Sequence, residues 1–311
     1  MSKIVLIGCG AVGATFAYTV LVKGIATELV IIDVNQEKAL GDVLDLNHGL
    51  MLAHPMRISL GNYPDCAGAD IVVITAGAAQ RPGETRIDLM NRNVAIFDSI
   101  IKQVTQYNQN GILLIATNPV DILTQVALKL SGWPKERVIG SGTLLDSSRF
   151  RYLIAEHLGV DPRSVHGSII GEHGDSEVAI WSGASVAGVS LDYPGSGERW
   201  HISPDQRERI YEETRTAAYS IIQKKGATYY AIALALGRIC EAILNDQRSI
   251  LPVSSYLEDY HGISGVCMGV PSVVGRNGVA EAVPIPLSDT ELAALKESAG
   301  KLKSFLSEIG F

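Results

Sequence analysis

In the first half of the chain, short apolar runs alternate with longer stretches whose apolar residues recur every three or four positions. The runs at 4–7, 29–32, 71–75 and 112–116 are almost wholly β-branched or aliphatic and predict buried strands, whereas 14–22, 36–47, 89–107 and 122–130 predict amphipathic helices. Continuous apolar strands separated by helices imply a parallel, doubly wound sheet covered on both faces. The second half has a different texture. A helix is expected from Asp146, acting as its cap, to about 158, then strands at 165–170 and 178–181 and a Gly-, Pro- and Ser-rich surface loop at 190–201. Helices follow at 204–224 and 229–244, interrupted at Lys225-Gly226-Ala227-Thr228, then strands at 250–256 and 266–274 and an amphipathic helix at 289–309. The expected fold class is α/β, a parallel sheet followed by an α+β unit, with domains at 1–141 and 142–311.

The turn after the first strand reads Gly8-Cys9-Gly10-Ala11-Val12-Gly13 and leads directly into the first helix. Alone, Gly-x-Gly-x-x-Gly is a weak signal in a chain with 31 glycines. Between a strand and a helix it is a strong one. The first glycine permits the tight turn, the second admits a pyrophosphate, and the third lets helix and strand pack closely. Asp33 ends the second strand, where a carboxylate accepts hydrogen bonds from ribose hydroxyls and repels a 2′-phosphate. The first half therefore reads as a Rossmann-type dinucleotide-binding domain with a preference for NAD over NADP.

Composition narrows the class further. A net charge of −7 and a pI near 5.5 argue against broad nucleic-acid or anionic-membrane binding, so an anionic ligand would need a few well-placed arginines. Cys9, Cys66, Cys240 and Cys267 are too scattered for a zinc site or a disulfide framework and suit reduced thiols in the cytoplasm. The N-terminus enters a strand without a secretory signal, and no apolar run is long enough to span a bilayer.

Candidate chemistry centres on Gly171-Glu172-His173-Gly174-Asp175. An imidazole exchanges protons near neutral pH, and glycines on both sides relieve crowding of the ring. Asp146 and Arg149, three apart at a helix start, share a face. Arg149 can clamp a carboxylate through two parallel hydrogen bonds, and Asp146 can orient His173 and stabilise its charged form. Taken singly, these residues also read as a helix cap, a surface ion pair and a structural histidine.

Six motifs in order resemble the L-lactate/L-malate dehydrogenase family, in particular its bacterial L-lactate type, over essentially the whole chain. They are the glycine turn, Gly77-Ala78-Ala79-Gln80-Arg81-Pro82-Gly83-Glu84-Thr85-Arg86, Ala116-Thr117-Asn118-Pro119-Val120-Asp121, the segment 142–151 with Asp146 and Arg149, 171–175, and Lys225-Gly226-Ala227-Thr228. The resemblance implies reversible reduction of pyruvate by NADH to L-lactate. His173 would be the proton donor and acceptor, Asp146 its orienting partner, and Arg149 the carboxylate clamp. Arg86, on a closing loop, would polarise the keto oxygen. Asn118 would touch both the reacting carbonyl and the nicotinamide, after a cis Asn118-Pro119 bond, and Thr228 would line the pocket. Gly8, Gly10, Val12, Gly13, Asp33, Thr75 and Gly77 would complete the NAD site.

Substrate choice turns on Gln80, with Pro82-Gly83 fixing its register. In the family an arginine there pairs with the second carboxylate of malate or oxaloacetate, whereas a neutral glutamine, with Glu84 nearby, suits pyruvate. A dicarboxylate would leave a charge unpaired. The resemblance also implies that Arg151 and His166 bind fructose 1,6-bisphosphate at a subunit interface of a homotetramer, a dimer of dimers. The alternatives are a malate dehydrogenase of the lactate-like type and a non-catalytic NADH sensor, although a sensor needs no proton donor.

Overall fold

The computed structural model describes residues 2–78, 83, 86–192 and 198–311, without the side chains of Arg86 and Glu198. The first half supplies strands β1 (Lys3–Ile7), β2 (Glu28–Ile32), β3 (Arg57–Leu60), β4 (Ile71–Ile74), β5 (Ile112–Ile115) and β6 (Val138–Gly140). They lie parallel in the order β3-β2-β1-β4-β5-β6. Helices α1 (Ala11–Lys23), α2 (Gln36–His48), α3 (Arg86–Tyr107) and α4 (Val120–Ser131) join them. All four residues of β4 and of β5 are buried, which is why these strands show no polar alternation in sequence. The strand order reverses between β1 and β4, so a crevice opens beyond their carboxyl ends.

The second half begins with α5 (Leu144–Leu158) and the strands β7 (Val165–His166), β8 (Ile169–Gly171), β9 (Glu177–Ala179), β10 (Ser185–Val186) and β11 (Val189–Ser190). It continues through α6 (Pro204–Lys225), α7 (Tyr230–Leu244), β12 (Ser249–Leu257), β13 (Val266–Gly275), β14 (Gly278–Ala282) and α8 (Asp289–Glu308). Antiparallel β12 joins β6 at Ser254–Gly140 and leads through β13 to β8 and β9, so one sheet runs through both halves. The core is shared as well. Leu236, Ile239 and Ile243 of α7 are buried in one cluster with Phe16, Val20 and Leu21 of α1.

Two expectations change. The strand expected at 165–170 is two strands in different sheets: β7 pairs with β10, and β8 pairs with β9 and β13. The chain crosses between sheets at Gly167, where a Cβ would lie 3.0 Å from the Phe150 ring. Asp146 is not a cap. The helix starts two residues earlier, with Thr143 at the N-cap, and the Asp146 carboxylate faces inward and is buried. Two cationic partners there outcompete helix N–H groups, because hydrogen bonds between charged groups are about twice as strong as neutral ones. Strands β3, β6, β10, β11 and β14 are absent from the sequence expectation: β3 is a partly exposed edge strand, β6 has three residues, β10 and β11 have two each, and β14 mixes buried and exposed positions.

Candidate active site

The glycine turn closes against the next strands. Gly8 has φ 97°, and a Cβ there would lie 2.4 Å from the Ala76 nitrogen, so only glycine fits. Gly13 faces the same turn, where a Cβ would come within 2.0 Å of the Gly8 carbonyl oxygen. Thr75 Oγ1 donates to that carbonyl at 2.6 Å. At Gly10 the added Cβ would meet nothing within 4 Å, and α1 begins there without a side-chain cap. That combination of open space and uncapped helix N–H groups fits a pyrophosphate. The Asp33 carboxylate accepts from the Cys9 N–H at 2.5 Å and the Asn35 N–H at 2.7 Å, which aims it over the turn with lone pairs left for ribose hydroxyls. A cavity of about 620 Å³ at this end of the sheet is lined by Gly8, Gly10, Asp33, Thr75 and Gly77, with Tyr63, Ile96 and Ile100 as apolar walls. Val12 packs on the core beside this cleft.

A second cavity, of about 400 Å³, contains Asn118, Asp146, Arg149 and His173. The loops after β4 and β5 run against each other between the two cavities: a Cβ on Gly77 would lie 2.2 Å from Thr117 Cγ2. The Asn118-Pro119 peptide is cis. His173 sits in the turn between β8 and β9, pinned by its own N–H, which donates to Asp121 Oδ2 at 2.7 Å. Its Nδ1 meets Asp146 Oδ2 at 2.5 Å, and Arg149 Nη1 donates to the other Asp146 oxygen at 2.8 Å. One buried carboxylate thus holds both cations, and the ring keeps Nε2 for a ligand.

Charge follows this geometry. Burial works against the charged ring, but the Asp146 charge and hydrogen bond, with smaller contributions from Asp121 and Glu177, outweigh it and raise the His173 pKa to about 9. Burial would raise the Asp146 pKa, but His173 and Arg149 together bring it below the usual carboxylate value. Burial pushes Asp121 up to about 6 despite the His173 N–H. At neutral pH the site therefore offers a protonated imidazolium beside a guanidinium, suited to polarising and protonating a carbonyl next to a carboxylate.

Several other residues complete the site and were not singled out from sequence as functional. Asn93 Oδ1 accepts from the Ala78 N–H at 2.8 Å and its Nδ2 donates to the Asn118 carbonyl at 3.2 Å, so α3 fixes the base of the loop after β4. Along α6, Arg215, Ala218, Tyr219 and Ile222 line the cavity at helical spacing, with Tyr219 Oη donating to Asp175 at 3.1 Å. Asp121 ends the motif Ala116-Thr117-Asn118-Pro119-Val120-Asp121; Asn93, Glu177 and Arg215 carry no sequence signal. Thr228, between α6 and α7, is not among the residues lining this cavity. Gln80 and Glu84 lie outside the described residues, as does the side chain of Arg86, which begins α3. Arg151 Nε donates to the Gly167 carbonyl at 2.7 Å, away from the cavity, and His166 is exposed one residue earlier. All four cysteines are buried thiols. Among the described residues no His, Cys, Asp or Glu cluster could hold a metal, and no helix is long and apolar enough to cross a membrane.

Comparison with known proteins agrees with both halves. Residues 2–140 match the family model "lactate/malate dehydrogenase, NAD binding domain", and residues 143–309 match "lactate/malate dehydrogenase, alpha/beta C-terminal domain". The chain is 52% identical over 311 residues to an L-lactate dehydrogenase of Acetivibrio thermocellus, covering 99% of this chain and 98% of that one. It is 51% identical over 308 residues to L-lactate dehydrogenase 1 of Clostridium acetobutylicum, with coverage of 99% and 98%. The ligand-bound crystal structure of the minor L-lactate dehydrogenase from Enterococcus mundtii superposes with a TM-score of 0.96 at 44% identity, covering 98% of each chain. The chain is an NAD-dependent oxidoreductase and belongs to the lactate/malate dehydrogenase family.

Proposed function

We propose that the chain interconverts pyruvate and L-lactate, with residues 1–141 binding NAD and 142–311 carrying the catalytic groups. The observation that carries this reading is His173 held at 2.5 Å by Asp146 in a cavity shared with Arg149. When bound, NADH supplies the hydride. His173 delivers its proton from Nε2 to the keto oxygen while Nδ1 stays on Asp146, and takes the proton back in lactate oxidation. Arg149 clamps the substrate carboxylate, Asn118 bonds near the reacting carbonyl, and Arg86 polarises it. Gly8, Gly10, Val12, Gly13, Asp33, Thr75 and Gly77 hold the dinucleotide. The relatives named as L-lactate dehydrogenases support pyruvate as substrate.

Neutral Gln80 sets the preference for pyruvate over oxaloacetate. NADH oxidation with each substrate tests it. Pyruvate should have the higher kcat/KM, and Gln80→Arg should shift the ratio toward oxaloacetate by at least about tenfold, since pairing a buried carboxylate is worth several kcal/mol. An unchanged ratio sinks the assignment.

Arg151 and His166 bind fructose 1,6-bisphosphate where subunits of a homotetramer meet in the cytoplasm. The bond from Arg151 to the Gly167 carbonyl, next to His166, supports this reading, and a bisphosphate there would relieve repulsion between subunits. The effector should sharpen pyruvate saturation and increase the sedimentation coefficient; if both stay unchanged, this regulation is ruled out.

A further inference from the structure

Beyond its small contribution to the charge of His173, Glu177 has no part in the mechanism above, yet its surroundings are unusual for a carboxyl. It opens β9 directly across from Gly171 of β8. Its backbone is held on both sides: its N–H donates to the Gly174 carbonyl at 3.2 Å, and its carbonyl accepts from Tyr211 Oη at 2.5 Å. The side chain lines the catalytic cavity with Asp146, Arg149, His173 and Arg215. It is 4% exposed, and Oε1 has no hydrogen-bond partner. An unpaired buried carboxyl oxygen is costly, so its presence here calls for a chemical reason.

We infer that Glu177 is a positioning residue for the proton-transfer step: acting with Asp146 and Asp121, its carboxyl keeps His173 in the proton-donating form as the solution turns alkaline. The inference rests on the reading of His173 as proton donor. The physical reason is proximity in a space closed to water, where a buried carboxyl lining the same cavity favours the charged ring. Burial, then the Asp146 charge, push Glu177 up to about 8, and the surrounding carboxylates hold the His173 proton to about 9, so both groups titrate on the alkaline side of neutrality.

The other charged groups around the pair come from several elements. From α5 come Asp146 and Arg149, from α4 Asp121, from the His173 turn Glu172 and Asp175, and from α6 Arg215 and Tyr211. Helix α8, packed on β9, adds Lys301, whose charge is felt by Glu172 and Asp175, and Glu291, which is bonded to Ser182.

The test uses the intact chain labelled with ¹³C-histidine, the His173 signal being assigned by its loss in His173→Asn. In Glu177→Gln the His173 titration should move down by roughly half to one pH unit, and kcat/KM for pyruvate at about pH 9 should fall several-fold relative to its value at about pH 6.5. Glu177→Asp, which keeps the charge, should recover part of both. An unmoved titration in folded Glu177→Gln overturns the inference. Activity retained in His173→Asn would instead overturn the proton-donor reading itself.

Discussion

Asp146 concentrates the chemistry of single residues: one oxygen takes His173 and the other takes Arg149. With His173 as the proposed proton donor, pyruvate reduction needs the charged ring, so its kcat/KM should be level at neutral pH and fall as pH rises through about 9. Lactate oxidation needs the neutral ring and should rise through the same range. In Asp146→Asn the main group opposing the burial effect is gone, and the His173 pKa should fall from about 9 toward its ordinary value near 6.5. Reduction at about pH 8 should then slow by up to about thirtyfold from lost protonation alone. Steady-state rates in both directions across this range check the pair; parallel profiles for reduction and oxidation would refute the assignment. The residues of this pair were legible in the sequence as types at a spacing. Their contact was not, because 27 positions separate them along the chain.

The tightest constraint at the level of elements is the β1–α1 turn. Gly13→Ala would place a methyl 2.0 Å from the Gly8 carbonyl oxygen, a backbone atom that cannot swing aside. Helix and strand must separate, at a cost of about 1–3 kcal/mol. Thermal unfolding should show a lower Tm, and NADH titration a weaker affinity, because the same shift moves the N–H groups of α1. Gly10→Ala meets no atom within 4 Å and should spare Tm while weakening NADH binding. Equal losses of Tm in both variants would mean that the turn is not packed as described. The buried strands β1, β2, β4 and β5 were readable as apolar runs because both of their faces are covered. The short and edge strands were not, since pairing places them and their own residues do not.

The molecule as a whole is more continuous than its two family segments suggest. One sheet passes from β6 to β12, and α7 of the second half covers α1 of the first. Residues 1–141 produced alone would expose Phe16, Val20 and Leu21 where α7 normally lies. That fragment should be aggregation-prone, with α1 amides exchanging much faster than in the intact chain, whereas the intact chain should melt in one transition. Hydrogen exchange and calorimetry measure both. Native-like protection of α1 in the fragment would show that the NAD-binding half folds independently.

Local pattern along the chain determined the class of fold and the glycine turn and pointed to the candidate side chains, because strand burial, tight turns and side-chain chemistry are properties of neighbours in sequence. Only the tertiary structure decided that Asp146 faces inward to His173 and Arg149 rather than capping its helix. It alone brought the Asp121 carboxylate to the His173 backbone and placed unpaired Glu177 in the same cavity. Each of these depends on elements far apart in sequence meeting in a space closed to water, where an unpaired charge is costly enough to dictate which groups must pair.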